Sequence, residues 1–223
     1  MSGSRVPAMN YKRLYSYRFR DIDQERRTAV WEEIAPHVHG LIGSPRKVLD
    51  PAAGRGEFIG SVSAEETWAV DEFTYPEANH APATKVITAS IMEAELPAEH
   101  FDGVFVSNFL EHLHDQEAIA AFLEKMHSVM VDSGRIAIMG PNYRYCASKY
   151  WDCADHYVAL THITIAEHLY AAGFEPELIV PRYLPYSFRG ILPPSRRLTR
   201  MYLRARPAWR LLGKQFLVIG RRG

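Results

Sequence analysis

Val48-Leu49-Asp50-Pro51-Ala52-Ala53-Gly54-Arg55-Gly56-Glu57-Phe58 is the stretch on which the fold turns. A short apolar run ends on a carboxylate and passes through small residues into two glycines. That order predicts a strand over Lys47–Leu49, a tight turn, and a short helix around Glu57–Ser63. Glycines at such a turn remove the side chains that would keep a ligand away from the backbone.

Working outward, apolar and β-branched runs predict further strands at Thr67–Val70, Val86–Thr88, Phe101–Ser107 and Arg135–Met139, with closing strands at Glu177–Val180 and Gln215–Ile219. Between them lie helical periodicities. Asp21 to Val38 places Val30, Trp31, Ile34 and Val38 on one face. Gln116 to Val131 does the same with Ile119, Phe122, Leu123, Met126, Val129 and Met130, and Ser133-Gly134 is expected to end it. Thr164-Ile165-Ala166-Glu167 fits a capping box and opens a helix that stops at Gly173. Alternating strands and helices predict an α/β protein with a doubly wound, mostly parallel sheet. The stretch from Pro141 to His162 shows no clear period.

The chain has 223 residues, enough for one sizeable core, and no apolar run long enough to cross a bilayer. Its two cysteines, Cys146 and Cys153, are too few for a disulfide framework. With no apolar leader, reduced thiols and a cytoplasmic location are expected. The 26 basic and 26 acidic side chains balance, but unevenly: no Asp or Glu follows Pro181. Pro193-Pro194-Ser195 introduces a basic helix in which Leu198, Met201, Tyr202 and Ala205 recur among Arg196, Arg197, Arg200 and Arg204, and Pro207 is expected to end it. Such a helix over 196–210 packs on the core, lies on an anionic membrane, or gathers phosphate. Nucleic acid is not an expected partner, because no broad basic patch with interleaved aromatics exists. Oligomeric state is left open.

Two cofactors fit the glycine turn. Gly54, Gly56 and Gly60 are a loose relative of the dinucleotide fingerprint. The turn equally suits S-adenosylmethionine (SAM), and Asp71 at the end of the second strand could hold ribose hydroxyls in either case. The later segments separate them: Ser107-Asn108-Phe109-Leu110-Glu111-His112-Leu113, then Gly134-Arg135-Ile136-Ala137-Ile138, then Ala172-Gly173-Phe174. From about Val48 to Val180 this series resembles the class I SAM-dependent methyltransferases of the small-molecule branch. Tyr150-Trp151-Asp152, Tyr183-Leu184-Pro185-Tyr186 and the Trp209–Gln215 end look like bacterial enzymes of glycan and secondary-metabolite biosynthesis. The resemblance implies a seven-stranded Rossmann-like sheet in one domain over 1–223. Its parts are an arm and helix with a lid role at 1–45, a SAM-binding core at 46–180, an Arg-rich insertion at 181–213 and a closing strand at 214–223.

By the same resemblance, Asp50, Ala52, Gly54 and Gly56 line the methionine side of SAM, and Asp71 takes the ribose. Ser90 and Ile91 flank the adenine, and Asn108 and Phe109 lie under the sulfonium. Ala52 replaces a family glycine and requires a negative φ, and Ser90 replaces a common Asp. Asn108-Phe109-Leu110-Glu111 stands where methyltransferases of DNA bases carry an Asn/Asp-Pro-Pro-aromatic tetrad, so a nucleobase acceptor is not expected. A small-molecule hydroxyl on a sugar, polyol or secondary metabolite is. Deprotonating a hydroxyl calls for a base, and His112 and His156 are the catalytic candidates. Tyr143, Arg144, Tyr145, Trp151 and His162 are the acceptor-site candidates. Asp152, Asp155 and His156 are metal-ligand types, but too unspecific a trio, and no metal is expected. A membrane-peripheral enzyme with a lipid-linked acceptor, or a SAM-fold binding protein without turnover, are the alternatives.

Overall fold

The computed structural model describes residues 9–75, 78–186 and 195–223. Its elements in chain order are α1 (Tyr11–Arg18), α2 (Gln24–Leu41), β1 (Lys47–Asp50), β2 (Glu66–Asp71), β3 (Lys85–Thr88), β4 (Phe101–Ser107), α3 (Gln116–Val129), β5 (Met130–Pro141), α4 (Tyr143–Tyr150), α5 (His162–Ala171), β6 (Phe174–Val180), α6 (Arg196–Arg204), α7 (Arg206–Leu212) and β7 (Gln215–Arg222). The sheet order is β3-β2-β1-β4-β5-β7-β6. β7 runs antiparallel between β5 and β6, and every other pairing is parallel. This is the doubly wound, mostly parallel seven-stranded sheet that the alternation predicts.

Each face of the sheet has its own apolar core. Val30, Trp31, Ile34, Ala35 and Val38 bury the inner stripe of α2, with Leu203 of α6 and Trp209 of α7. On the other face α3 buries Ile119, Phe122, Leu123, Met126 and Val129 beside Ile165 and Leu169 of α5. Fully burying one such side chain contributes about 1.5–3 kcal/mol. Both helices start on side-chain caps: Asp23 accepts from the Arg26 amide at 3.1 Å, and Asp115 from the Ala118 amide at 2.8 Å.

Several local expectations are corrected. No helix forms over Glu57–Ser63: residues 51–61 are turns. One α-type bond (Gly60 amide to Gly56 carbonyl, 2.8 Å) does not propagate, in a run weakened by Gly54 and Gly56 at positive φ and by Gly60. α2 continues to Leu41, beyond the expected end at Val38. α3 ends at Val129 because Met130 pairs with Phe101 and begins β5; Ser133, at φ 63°, and Gly134 bend that strand instead of ending the helix. The α5 cap lies three residues early. Thr161 and Thr164 exchange bonds of 3.2 and 3.0 Å, so His162 is the first helical residue.

The basic helix docks on the body. Its buried residue is Leu203, while Leu198 and Met201, expected on the apolar face, are exposed. Arg196 and Arg200 clasp Glu33 of α2 at 2.8 and 2.6 Å, and Arg196 also reaches Glu32. The two guanidinium groups hold the Glu33 carboxyl down at about 2. Pro207 does not stop the chain. It sits in the first turn of α7, where a missing N–H costs nothing.

Candidate active site

The strand order reverses between β1 and β4. In such sheets the ligand crevice opens outside the carboxyl ends of the strands at that point. Here those ends are Asp50 and Ser107, with Asn108 next along the chain. The crevice therefore lies between the glycine turn and the segment leading into a single 3-10 turn, Leu110–His112.

On the β1 side, Asp50 is buried, and its one hydrogen bond, from the Ala52 amide, is long at 3.4 Å. Burial pushes this carboxyl well up, and the neighbouring Asp71 and Glu57 charges add to the shift. Ala52 is not among the residues at positive φ, so alanine serves there without strain. Gly54 adopts φ 54°, and a Cβ placed on it would meet nothing within 4 Å. Asp71 accepts from the Gly54 amide at 2.7 Å and from the Phe73 amide at 2.9 Å. Burial raises its carboxyl too. A carboxylate has about four acceptor sites, so Asp71 keeps capacity for two further donors. Gly54, Asp71, Phe73, Tyr75, His80 and Ile87 are among the residues bordering a small cleft, of about 70 Å³, that opens to solvent.

The other two glycines of the turn serve a different end. A Cβ on Gly56, at φ 73°, would lie 2.6 Å from His80 Nδ1, and one on Gly60 would collide with the Asn79 carbonyl oxygen. The Asn79 amide donates to the Arg55 carbonyl at 2.7 Å. Residues 78–80 thus seat on the glycine turn, and Gly54 alone leaves open backbone. Ser90 opens a turn, its carbonyl accepting from the amides of Glu93 and Ala94 at 2.9 Å, and Ile91 is buried. Asn108 holds a left-handed φ of 50°, its amide tied to the Met139 carbonyl at 2.8 Å. The Phe109 ring turns back onto Phe122, 5.2 Å between centroids.

On the β4–β5 side an aromatic chain gathers four of the sequence candidates. Tyr143 stands 5.3 Å from Tyr150, Tyr150 4.7 Å from His156, and His156 5.0 Å from His112. Trp151 packs edge-on against Tyr150 at 5.2 Å and is half exposed. Tyr145 and His162 form a separate stack, 6.3 Å apart, with Arg182 over the Tyr145 ring. His162 there meets the Asn142 amide nitrogen at 2.9 Å, and Arg144 is exposed. α4, which supplies Tyr143 and Tyr150, is a helix the sequence reading leaves as loop.

His112 Nδ1 lies 2.8 Å from the Asp155 carbonyl oxygen and 3.3 Å from its carboxylate. Both accept, so Nδ1 carries a proton, and in the neutral ring the lone pair is then on Nε2. His156 is pushed down to about 4 by burial and by His112, so it stays neutral at physiological pH. Its Nδ1 is buried without a partner. Asp155 is fully buried and pairs with Arg18 of α1. Tyr11 meets Tyr157 hydroxyl to hydroxyl at 3.1 Å, and the Tyr15 ring stands edge-on to Phe73 at 6.4 Å. The arm therefore reaches from the acceptor-side cluster to the residue two beyond Asp71. Asp152 is exposed and Asp155 is engaged, so the Asp152/Asp155/His156 trio is not assembled.

Residues 49–138 match the methyltransferase-domain family. The matched stretch runs from β1 into β5 and contains both Asp50 and His112. Among solved structures, a SAM-dependent methyltransferase from Archaeoglobus fulgidus is 22% identical, covering 96% of this chain and 100% of its own, with a TM-score of 0.65. The 1,6-didemethyltoxoflavin-N1-methyltransferase of Burkholderia thailandensis, solved with its substrate and S-adenosylhomocysteine, is 19% identical over 98% and 93%, TM-score 0.59. The N-methyltransferase NodS of Bradyrhizobium japonicum, with S-adenosylhomocysteine, is 14% identical over 95% and 97%, TM-score 0.61. At these identities the likeness is one of fold. No curated protein matches significantly. The second and third of these structures hold S-adenosylhomocysteine, the demethylated form of SAM. The residues present fit it: Asp50 is a buried carboxylate short of a partner, as an ammonium-bearing amino acid requires, and Gly54 leaves room at the backbone.

Proposed function

We propose that this chain is a SAM-dependent methyltransferase acting on a hydroxyl of a small-molecule acceptor such as a sugar, polyol or secondary metabolite. The observation that carries the reading is the pairing of Asp50, Gly54 and Asp71 on one side of the switch-point crevice with His112 and its aromatic chain on the other. SAM supplies an already activated methyl group, so the protein's task is alignment and exclusion of water. Asp50 holds the ammonium end, with Ala52 and Gly54 as the wall beside it, while Gly56, expected there, seats His80 instead. Asp71 accepts the ribose hydroxyls. Ser90 and Ile91 border the adenine, and Asn108 and the Phe109 backbone lie below the reacting methyl.

Tyr143, Trp151 and His156 wall the acceptor pocket. His112 takes the acceptor's proton through Nε2, with Asp155 fixing the ring. His156, down at about 4, binds protons too weakly to share that task at neutral pH. Tyr145, Arg144 and His162 lie at the outer edge and contact only larger acceptors. His112→Asn is expected to lower kcat by about 100-fold, the lower end for a general base, with the Kd for SAM unchanged. Labelled SAM offered with a panel of polyols and sugars reads both; transfer unaffected by the substitution removes His112 from the mechanism.

A second reading concerns where the acceptor resides. Leu198, Met201, Leu211 and Leu212 are exposed beside Arg197, Arg204 and Arg210. This face suits an anionic membrane and, with it, a lipid-linked acceptor. Co-sedimentation with anionic vesicles is expected to fall several-fold for the double variant Met201→Ser, Leu211→Ser. Equal binding of the variant, or none by the natural chain, excludes the membrane reading.

A further inference from the structure

Glu111, His112 and His156 bring one carboxylate oxygen and two imidazole nitrogens within 4.8 Å of one another. Glu111 is 2% exposed, no ion pair joins its carboxyl among the described residues, and burial pushes that carboxyl up against the pull of the His112 and Arg18 charges. A buried carboxylate in that state is costly unless something positive joins it. The two imidazoles are arranged for the same purpose. His112 Nδ1 donates to the Asp155 carbonyl at 2.8 Å, which turns the Nε2 lone pair outward. Metal-binding histidines are held in this way by a backbone carbonyl or carboxylate behind the ring. His156 Nδ1 is buried with no hydrogen-bond partner. Two imidazoles and one buried carboxylate thus converge.

We propose that Glu111, His112 and His156 form a divalent transition-metal site. Two imidazoles and one carboxylate suit Mn²⁺, Fe²⁺ or Zn²⁺ and disfavour Mg²⁺ and Ca²⁺, which prefer all-oxygen sets. Three protein ligands leave coordination positions open. The site depends on the methyl-transfer reading only for what fills those positions: an acceptor hydroxyl, bound and acidified by the cation. His112 Nε2 is then a ligand, and the metal takes over the lowering of the hydroxyl's pKa that the free imidazole would otherwise assist.

Metal binding is read on the full chain without SAM, and SAM binding without metal, so either reading can fail by itself. Titration of the metal-free chain with Co²⁺ is expected to give one saturable site with visible d–d absorption, displaced by Zn²⁺ and unaffected by excess Mg²⁺. His112→Gln, His156→Gln and Glu111→Gln are each expected to weaken it by at least about tenfold. Asp152→Asn, at an exposed neighbouring carboxylate, is expected to bind as the natural chain does. Circular dichroism and SAM affinity establish that each variant is folded. No saturable Co²⁺ binding by the natural chain overturns the proposal, and so does binding that survives in folded variants of both histidines. SAM binding without Co²⁺ binding leaves the methyltransferase reading standing and removes only the metal.

Discussion

Asp71→Ala is expected to weaken SAM binding by two to three orders of magnitude, the largest effect of any change on the cofactor side. Asp71 accepts from the amides of Gly54 and Phe73, at 2.7 and 2.9 Å, and so pins the glycine turn to the end of β2. Its remaining acceptor capacity faces the crevice, where two ribose hydroxyls would be bound. A hydrogen bond to a charged group is worth about 1.5–3 kcal/mol, so losing two costs about 3–6 kcal/mol, part of which water returns. Asp71→Asn keeps one acceptor oxygen and is expected to lose only about tenfold. Calorimetry with SAM and S-adenosylhomocysteine measures both, and equal affinities for the natural chain and Asp71→Ala would remove the ribose role.

Much of this crevice was readable from the chain alone because strand ends carry strong local signals. Val48-Leu49-Asp50 and the β2 run ending at Asp71 are apolar segments that stop on carboxylates, and both occupy the expected strand ends. The glycines were harder. Three of them in a row of odd spacing suggest an open backbone, yet Gly56 and Gly60 are filled by Asn79 and His80, some twenty residues later. No local pattern reports which element will pack on a glycine. The same limit hid α4. Tyr-Arg-Tyr-Cys-Ala-Ser-Lys-Tyr shows no apolar stripe, because this helix buries only Cys146 and Tyr150 and is kinked at Cys146, with φ −135°.

The acceptor side shows the division more sharply. Histidines in segments after β4 and β5 were natural candidates; Tyr143, Trp151 and His156 are gathered by Tyr150, and His112 joins them through His156. Glu111 was read as part of a turn. Its adjacency to His112 was the available signal, but its burial depends on β5 and the 155–158 segment, whose Tyr157 amide donates to the Glu111 carbonyl at 2.9 Å. Asp155 was read only as one of a trio of metal-ligand types, for a similar reason. Its partner Arg18 is 137 positions away.

That distant pair supplies the second large effect. Arg18→Met is expected to cost about 3–5 kcal/mol at neutral pH, the usual result of stripping one partner from a buried ion pair. Asp155 is 0% exposed at its side chain and Arg18 21%, so losing the arginine strands the carboxylate while losing the carboxylate leaves a partly exposed guanidinium. Asp155→Ala is therefore expected to cost less in stability, although it also frees the His112 ring. The pH dependence separates this account from simple loss of packing. In the natural chain the Arg18 and His112 charges hold Asp155 below its ordinary value of 3.8 despite burial. Its contribution to stability is thus fully present above that value and is lost as pH falls through the lower folded one. Without Arg18, burial dominates and lifts the folded pKa above the unfolded one. The penalty in Arg18→Met is then greatest at neutral pH and shrinks as acid protonates Asp155. Thermal melts are expected to show a gap of about 10 °C near neutrality that narrows toward pH 4. A gap constant with pH would mean that α1 is held by the Tyr11–Tyr157 and Tyr15–Phe73 contacts and not by its charge.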